Sequence, residues 1–262
     1  MNGNTAFYDA FAPYYCGYYG SVDASEAVRQ WVGRLEAEGL LPPFARRCRS
    51  PLSLLDLGCG PGWHVRPWQE MGFEVCGLDQ SPAMLRIAAT ALAGADAVKL
   101  FCADVCELDS LDALEGAFDL IASHFNFVNL FPPEQLPTVF AGVRKMLAPG
   151  GLWATDLTLW TPGQIELASQ PKQFGPDCLL LDESRYLQQA SIKRHWRLAG
   201  VEYVEQYWRH ECEAIASQAG KSGLEFLGSF PGMTASPDDA LADGVCHKLL
   251  VLRRGRGWLA GA

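Results

Sequence analysis

The stretch Leu54-Leu55-Asp56-Leu57-Gly58-Cys59-Gly60-Pro61-Gly62 decides the fold of this 262-residue chain. Its first half is mostly apolar and predicts a buried strand over residues 52–57. Its second half has a glycine at every other position, and glycine lets a backbone turn tightly and approach a ligand closely. A helix predicted from about Trp63 to Gly72 would add free backbone N–H groups at the same edge. The stretch therefore predicts a ligand-binding turn between a strand and a helix.

Strands and helices continue to alternate as far as residue 156. After the first strand, the pattern predicts strands over residues 73–78, 98–102, 118–123 and 152–155. One helix begins at Ser81-Pro82, where serine suits the cap and proline suits the first turn. Another covers residues 134–147 and ends at a Pro-Gly-Gly turn. Connections of helix length between strands predict parallel pairing with right-handed crossovers, so the fold class is α/β.

The pattern changes after residue 156, where strand-like segments follow one another without long helices. These segments cover residues 178–181, 192–198 and 201–208, and Ala199-Gly200 is typical of a hairpin turn between the last two. A helix near 211–219 and strands over 224–227 and 245–252 then return to the main sheet. We predict three parts: a helical lid (1–50), a main domain (51–156 plus 211–254) and an inserted antiparallel β cap (157–210) covering the substrate site.

Composition and charge narrow the class of protein. Lys plus Arg total 21 and Asp plus Glu total 30, so the net charge is −9, which disfavours broad binding to nucleic-acid phosphates. The nine cysteines are scattered without a Cys-x-x-Cys pair, which argues for free thiols in a reducing compartment. The sequence shows no signal peptide and no membrane-spanning apolar run. We expect a cytoplasmic monomer or homodimer without a nucleic-acid or membrane partner.

Asp79 is the second part of the signal for a cofactor. It ends the second predicted strand, 79 − 62 = 17 positions after Gly62, where a carboxylate can accept hydrogen bonds from both hydroxyls of a ribose. The alternative is that Asp79 only caps the helix that starts at Ser81-Pro82. The glycines alone do not choose a cofactor, because enzymes that use NAD carry a similar loop.

Five motifs in this order resemble those of the class I S-adenosylmethionine-dependent methyltransferases. They lie at residues 54–62, 77–85, 102–105, 118–122 and 147–151. The wording Asp-Leu-Gly-Cys-Gly-Pro-Gly in the first is far more typical of this family than of dehydrogenases. The resemblance covers about residues 52–156. It implies S-adenosyl-L-methionine as cofactor and a doubly wound Rossmann-like seven-stranded sheet, with the small antiparallel β cap inserted after strand five.

The resemblance also implies which residues bind the cofactor. They are Gly58, Cys59 and Gly60 at its methionyl part, Asp79 at the ribose, Gln80 and Met84 beside the adenine, Asp104 and Val105 at the adenine edge, Ser123 on the sulfonium side, and Tyr15. Tyr15 ends a Tyr-Asp-x-x-Ala-x-x-Tyr segment that resembles the lid of small-molecule methyltransferases, where this tyrosine often touches the cofactor carboxylate. The alternatives are a loop cap for Asp104 and an aromatic packing face for the lid.

Predictions for the acceptor side rest on the residues after the fourth strand and on the cap. Residues 124–131 resemble a motif of N-methyltransferases that act on sugar amines, but Leu130 stands where some of those enzymes have an assisting His or Tyr. His124 is the nearest titratable substitute and our candidate catalytic base, the alternative being a hydrogen-bonded structural histidine. The candidate acceptor contacts are Tyr8, Asn126, Trp160, Trp196 and Tyr207. The cap aromatics suit a substrate lid and, equally well, the aromatic core of a small layer or a dimer contact.

The sequence as a whole predicts an enzyme, an S-adenosylmethionine-dependent methyltransferase that acts on a small-molecule acceptor by N- or O-methylation, as in natural-product metabolism. No metal site is expected, because the five histidines lie far apart in the sequence. The alternative is a methyltransferase-like protein that binds the cofactor but catalyses another reaction or serves as a binding partner. An NAD-dependent dehydrogenase is a third reading.

Overall fold

The computed structural model describes residues 3–20, 23–94, 98–160, 171–186, 191–231 and 245–255, which form seven α-helices and eleven strands. The helices are α1 (Gly3–Tyr18), α2 (Ala24–Ala37), α3 (Phe44–Arg47), α4 (Val65–Glu70), α5 (Pro82–Ala91), α6 (Leu136–Met146) and α7 (Cys212–Lys221). The strands are β1 (Leu52–Leu57), β2 (Phe73–Asp79), β3 (Lys99–Cys102), β4 (Phe118–Ser123), β5 (Leu147–Trp160), β6 (Lys172–Gln173), β7 (Cys178–Tyr186), β8 (Ser191–Leu198), β9 (Val201–Trp208), β10 (Leu224–Pro231) and β11 (Val245–Arg254). None of the helices in these ranges is both long and apolar enough to cross a membrane.

The larger sheet has seven strands in the order β10-β11-β5-β4-β1-β2-β3. Its strands β1 to β5 pair in parallel, whereas β11 runs antiparallel to both β5 and β10. The direction of winding reverses between β1 and its neighbour β4, and the carboxyl ends of the strands leave a crevice at such a point. The predicted doubly wound seven-stranded sheet is confirmed.

Helices cover both faces of the large sheet, which explains the apolar run in β1. Leu55 and Leu57 belong to a core shared with α6 and α7, and Leu54 belongs to a second core shared with α2, α4 and α5. Strands buried on both faces are apolar at successive positions rather than at alternate ones. Asp56 is the exception within this run, and its side chain is also buried.

The smaller sheet is antiparallel, with the strand order β6-β7-β8-β9, and it confirms the predicted β cap. Ala199 and Gly200 form the hairpin turn with φ of 46° and 81°, the left-handed conformations that a two-residue turn needs. The two-residue strand β6 was not predicted. In the main sheet, β5 continues to Trp160 and pairs there with Val245 of β11, so the cap strands begin at Lys172 rather than at residue 157.

The first helix lies between the main sheet and the cap. Its aromatic residues pack on the cap: ring centroids lie 4.7 Å apart for Tyr18 and Phe174 and 4.9 Å apart for Phe11 and Trp196. Side-chain caps begin two of the helices, and the predicted one at Ser81 is among them. Asp23 accepts the N–H of Glu26 at 2.9 Å, and the Ser81 hydroxyl accepts the N–H of Met84 at 3.1 Å. The caps fix where α2 and α5 begin.

A pair of glycine substitutions tests the packing of α6 beneath the crevice. A Cβ on Gly142 would lie 2.1 Å from the Val105 carbonyl oxygen, so Gly142→Ala should lower the free energy of unfolding by about 1–3 kcal/mol. Gly33 in α2 has nothing within 4 Å of the same position, and Gly33→Ala should leave stability unchanged or raise it by up to about 1 kcal/mol. Urea denaturation measures both. Equal values for the two variants would contradict this placement of α6.

Candidate active site

The glycine turn lies at the carboxyl end of β1. Gly58, Gly60 and Gly62 have φ of 75°, 51° and 81°, conformations that residues with side chains rarely adopt. The N–H of Gly58 donates to the Leu78 carbonyl at 2.8 Å, which ties the turn to β2. A Cβ on Gly58 would lie 2.9 Å from the ring of Phe127, so this position has no room for a side chain. The turn therefore exposes bare backbone at the crevice.

Asp79 joins the glycine turn to the start of α5. Its Oδ2 accepts the N–H of Gly60 at 2.8 Å, and its Oδ1 accepts the N–H of Ser81 at 2.8 Å. Burial raises the pKa of Asp79, while these two backbone hydrogen bonds lower it. Each oxygen keeps a second lone pair for a ligand hydroxyl. Ser81, and not Asp79, is the side-chain cap of α5, through its hydroxyl.

A cleft of about 860 Å³, counted with its open mouth, runs along the carboxyl ends of these strands. Concave sites of this kind, mostly apolar with a few polar groups, bind small molecules and cofactors. Nine of the predicted cofactor residues line it: Tyr15, Gly58, Cys59, Gly60, Asp79, Gln80, Met84, Asp104 and Val105. The tenth, Ser123, does not line it, because its hydroxyl is buried and accepts the indole N–H of Trp153 at 2.7 Å. The structure does not support a cofactor contact by Ser123.

Asp104 and Gln80 line the cleft, and the side chain of each also accepts a hydrogen bond from another residue. Asp104 Oδ1 accepts the N–H of Cys106 at 2.9 Å, so this carboxylate also caps its own loop, as the alternative prediction had it. The side-chain oxygen of Gln80 accepts the hydroxyl of Thr5 at 2.9 Å. The end of the cleft over β2 and β3 is therefore partly covered by α1.

Further contacts fasten α1 to both sides of the cleft. Asp9 Oδ1 accepts the Ser81 hydroxyl at 2.6 Å and the N–H of Ala83 at 3.1 Å. On the other side, the Tyr8 hydroxyl donates to Glu205 of the cap at 3.1 Å. Tyr8 and Tyr15 both line the cleft. Burial raises the pKa of both phenols well above the ordinary value, so both remain protonated hydrogen-bond donors.

His124 lines the cleft, but hydrogen bonding and stacking enclose its ring. Its Nε2 accepts the indole N–H of Trp68 at 3.2 Å, and its ring stacks on Trp31 at 4.0 Å and on His64 at 3.9 Å. Burial lowers the pKa of His124 well below the ordinary value, and the neighbouring His64 lowers it further. An imidazole with an engaged Nε2 and a low pKa is a weak base. The catalytic role of His124 stays a prediction, which this geometry disfavours.

The loop after β4 adopts an uncommon backbone conformation. Phe125 and Asn126 have φ of 59° and 60°, which is rare for residues other than glycine, above all for bulky ones. The N–H of Asn126 donates to Asp156 Oδ1 at 2.7 Å, and its side chain contacts the Thr158 hydroxyl. These bonds to β5 hold the loop and turn Phe125 into the cleft lining. Asn126 itself is not part of that lining, so a contact with the acceptor is unsupported.

The other predicted acceptor contacts divide between the cleft and the cap. Tyr8 lines the cleft. Trp196 and Tyr207 are buried in the cap, and both donate to the buried carboxylate of Glu205, at 3.3 Å and 2.6 Å. They lie outside the cleft lining and support the cap instead of contacting a ligand. The side chain of Trp160 lies outside the described residues.

Sequence reasoning missed most of the apolar wall of the cleft. The missed residues are Leu57, Pro61, Trp63, His64, Leu78, Ala103, Phe125, Phe127, Leu130 and Phe131. Their only sequence signal is position, since most follow the glycine turn or the fourth strand directly. His64 is held neutral, because burial lowers its pKa to about 3, and its Nε2 has no hydrogen-bond partner within the described chain. The wall is therefore aromatic, aliphatic and uncharged.

Comparison with known proteins decides the family. Residues 54–151 match a protein family described as a methyltransferase domain. An uncharacterised methyltransferase of Synechocystis sp. is 34% identical over 163 residues, which cover 58% of this chain and 74% of that protein. The chain belongs to the S-adenosylmethionine-dependent methyltransferases. The predictions of the family and of S-adenosylmethionine as its cofactor are thereby confirmed.

Two further proteins show how much of the chain resembles known methyltransferases in sequence and in fold. The malonyl-[acyl-carrier protein] O-methyltransferase of Pseudescherichia vulneris is 38% identical over 105 residues, 39% of this methyltransferase. The aligned part spans only 38% of that relative's own length. A solved S-adenosylmethionine-dependent methyltransferase from Clostridium acetobutylicum shares the fold with a TM-score of 0.68 at 15% identity, over 90% of this chain and 94% of that one.

The residues of the methyltransferase cleft fit S-adenosylmethionine. Asp79 offers free lone pairs for ribose hydroxyls, and the positive φ of Gly60 lets the backbone approach the methionyl part. At the base of the turn, Asp56 Oδ2 is buried with no hydrogen-bond partner in the described chain. Burial, together with the nearby Asp79, raises the pKa of Asp56 to about 8, so its carboxyl is mostly protonated near neutral pH and can donate a hydrogen bond.

Substitution of Asp79 tests the cofactor site. Asp79→Asn replaces one acceptor oxygen with an N–H donor, which opposes the backbone N–H of either Gly60 or Ser81 and removes one acceptor for the ribose. Because hydrogen bonds to a charged group contribute about 1.5–3 kcal/mol, the Kd for S-adenosylhomocysteine should rise roughly 10- to 150-fold. Glu74 is exposed on the same strand, and Glu74→Gln is the matched control. Calorimetry measures both, and an unchanged Kd for Asp79→Asn would rule out the ribose role.

Proposed function

We propose that this chain catalyses transfer of a methyl group from S-adenosylmethionine to a small-molecule acceptor. The observation that carries the proposal is the Asp79 carboxylate bound to the glycine turn, at one end of a cleft whose remaining wall is aromatic and apolar. The cleft therefore offers a cofactor end and a separate wall for an acceptor. No observation favours the alternative of cofactor binding without methylation.

The residues of the chain would act by binding, orienting and excluding water. When bound, S-adenosylmethionine supplies an electrophilic methyl group. Asp79 and Asp104 would hold its nucleoside, and Tyr8 and Tyr15 of α1 would close the cleft over it. Alignment of the two reactants and removal of water account for a large part of the rate in such reactions. An amine acceptor that arrives as the free base needs no basic residue in the chain.

We also propose that residues 1–50 form a lid and that the antiparallel cap covers the acceptor site. The buried carboxylate of Glu205 supports this proposal, because it joins the two parts. It accepts hydrogen bonds from Tyr8 of α1 and from Tyr207 and Trp196 of the cap, and Arg194 lies 3.9 Å away. Burial raises the pKa of Glu205, whereas Arg194 and these hydrogen bonds lower it. A buried carboxylate with these donors is costly to expose unpaired.

The location and partners are proposed on charge and cysteine chemistry. The eight cysteines with described side chains are all free thiols, which supports a reducing, cytoplasmic location. The net charge of −9 supports an acceptor other than a nucleic acid. A monomer and a homodimer remain equally compatible with the cap surface.

Release of S-adenosylhomocysteine tests the proposed function. The purified chain is incubated with S-adenosylmethionine and a panel of small amines, phenols and carboxylic acids, with Asp79→Asn as the control. We expect release that depends on one class of acceptor and falls with Asp79→Asn. Calorimetric binding of the cofactor without release on any acceptor would favour a non-methylating function. Absence of binding would contradict the proposal itself.

The link between lid and cap gives a separate prediction. Glu205→Gln removes the charge that receives the Tyr8 and Tyr207 hydroxyls, so α1 should open more often. Amide hydrogen exchange of α1 should accelerate about 10-fold, while that of α6 stays unchanged. Glu202→Gln is the control on the same strand, since its pair with Arg197 is exposed. Equal exchange of α1 in both variants would contradict the link.

A further inference from the structure

Four aromatic side chains form a closed set of contacts at the cleft, which we call the aromatic box: Tyr15, Tyr19, Trp63 and Phe125. Ring centroids lie 4.8 Å apart for Tyr15 and Tyr19, and 5.3 Å apart for Tyr15 and Trp63. They lie 5.8 Å apart for Tyr19 and Phe125, and 6.2 Å apart for Trp63 and Phe125. Each ring thus contacts two others. Tyr15, Trp63 and Phe125 also line the cleft.

Three separate segments build the aromatic box. Tyr15 and Tyr19 come from α1 and the turn after it, Trp63 from the turn after β1, and Phe125 from the loop after β4. In the sheet, β4 lies beside β1 on the side away from β2. Asp79 ends β2 and Asp104 follows β3, so the nucleoside residues and Phe125 lie on opposite sides of the glycine turn. This placement leaves the aromatic box for the acceptor, with Tyr15 at the boundary between the two ligands.

The backbone at Phe125 shows that this ring is held in place against a local cost. A left-handed conformation at a residue other than glycine costs about 1–3 kcal/mol and persists where the surroundings impose it. Here Asp156 of β5 imposes it through the N–H of Asn126, at 2.7 Å. Strain of this kind concentrates at ligand sites. It is an observation independent of the ring contacts, and it indicates a function for the position of Phe125.

The charges of the cleft agree with the chemistry of the rings. The faces of aromatic rings are negative and attract cations within about 6 Å of their centroids. Within the described lining, the charged side chains are Asp79 and Asp104, both acidic, and the two histidines are neutral. A carboxylate or phosphate on the acceptor would meet no cationic side chain in this lining. An ammonium group would meet aromatic rings and no cationic side chain of the lining.

We propose that the aromatic box is the acceptor site and that it selects an organic amine, which binds as a substituted ammonium ion. This inference rests on the proposed function, because it names the acceptor class for the same cleft. Before transfer, an N–H bond of the ammonium ion breaks: its electron pair stays on nitrogen for the attack on the methyl group, and the proton passes to solvent water at the open mouth of the cleft. The chain then needs no catalytic base, which agrees with Leu130 in the cleft wall and with the engaged Nε2 of His124.

A pair of isosteric probes tests the inference by binding alone. Choline and 3,3-dimethyl-1-butanol have the same shape, but choline has N⁺ where the alcohol has carbon, and its quaternary nitrogen cannot be methylated. The full chain, saturated with S-adenosylhomocysteine, is titrated with each probe and with 3,3-dimethylbutanoate, followed by tryptophan fluorescence and calorimetry. Because a cation–π contact contributes about 0.5–2 kcal/mol, choline should bind roughly 2- to 30-fold more tightly than the alcohol. The carboxylate should bind most weakly.

Trp63→Leu and Phe125→Leu should each reduce the preference for choline and leave binding of S-adenosylhomocysteine intact, which also shows that the variants are folded. Phe174→Leu is the matched control, since Phe174 is exposed and packs on Tyr18 and Trp196 outside the cleft lining. Equal affinity for choline and the alcohol overturns the inference, as does tighter binding of the carboxylate or a preference that survives both box variants. In these cases normal binding of S-adenosylhomocysteine leaves the proposed function standing. If the wild-type chain fails to bind S-adenosylhomocysteine, the proposed function itself is wrong.

Discussion

The hydrogen bonds of the Asp79 carboxylate are the interaction on which the rest of the site depends. One oxygen holds the N–H of Gly60 and the other holds the N–H of Ser81, so the glycine turn and the start of α5 cannot move independently. The Ser81 hydroxyl in turn donates to Asp9 of α1. A continuous series of hydrogen bonds thus connects the glycine turn to α1. Because Asp79 is buried, the loss of any of these donors would leave part of a carboxylate unsolvated, which is costly.

Helix α1 forms hydrogen bonds with two parts of the protein that lie far apart in the sequence. Thr5 and Asp9 bind residues at the end of β2 and the start of α5, while Tyr8, between them on the same helix, donates to Glu205 of the cap. Side chains on one short helix therefore reach both walls of the cleft. Opening of α1 would break these bonds, and lid opening of this kind often sets the turnover of enzymes.

Several ionisable side chains are buried near the cleft, and burial keeps most of them neutral. His64 and His124 stack face to face at 3.9 Å, and two ring cations could not coexist at that distance in a buried site. Asp56 is also held mostly neutral by burial. The charge that remains is negative and lies at the nucleoside end, on Asp79 and Asp104. A site of this kind favours positioning and exclusion of water over proton transfer by a side chain.

The sequence by itself determined the sheet, the glycine turn and the acidic residues at the ends of the strands. Apolar strands, alternate glycines and an acidic residue at a strand end are local patterns, and each has one local physical cause. It also indicated the cap hairpin, because a glycine lies between two strand-like segments, and the structure shows Ala199 and Gly200 in the left-handed conformations of such a turn. Only the tertiary structure decided which side chains face the cleft. Ser123 at the end of β4 and Asn126 after it bind Trp153 and β5 instead, whereas His124 and Phe125 line the cleft, with the His124 Nε2 engaged by Trp68. Trp196 and Tyr207 donate hydrogen bonds to Glu205, a carboxylate for which the sequence pattern predicts no role. Partners distant in sequence set these directions, and a local pattern carries no information about them.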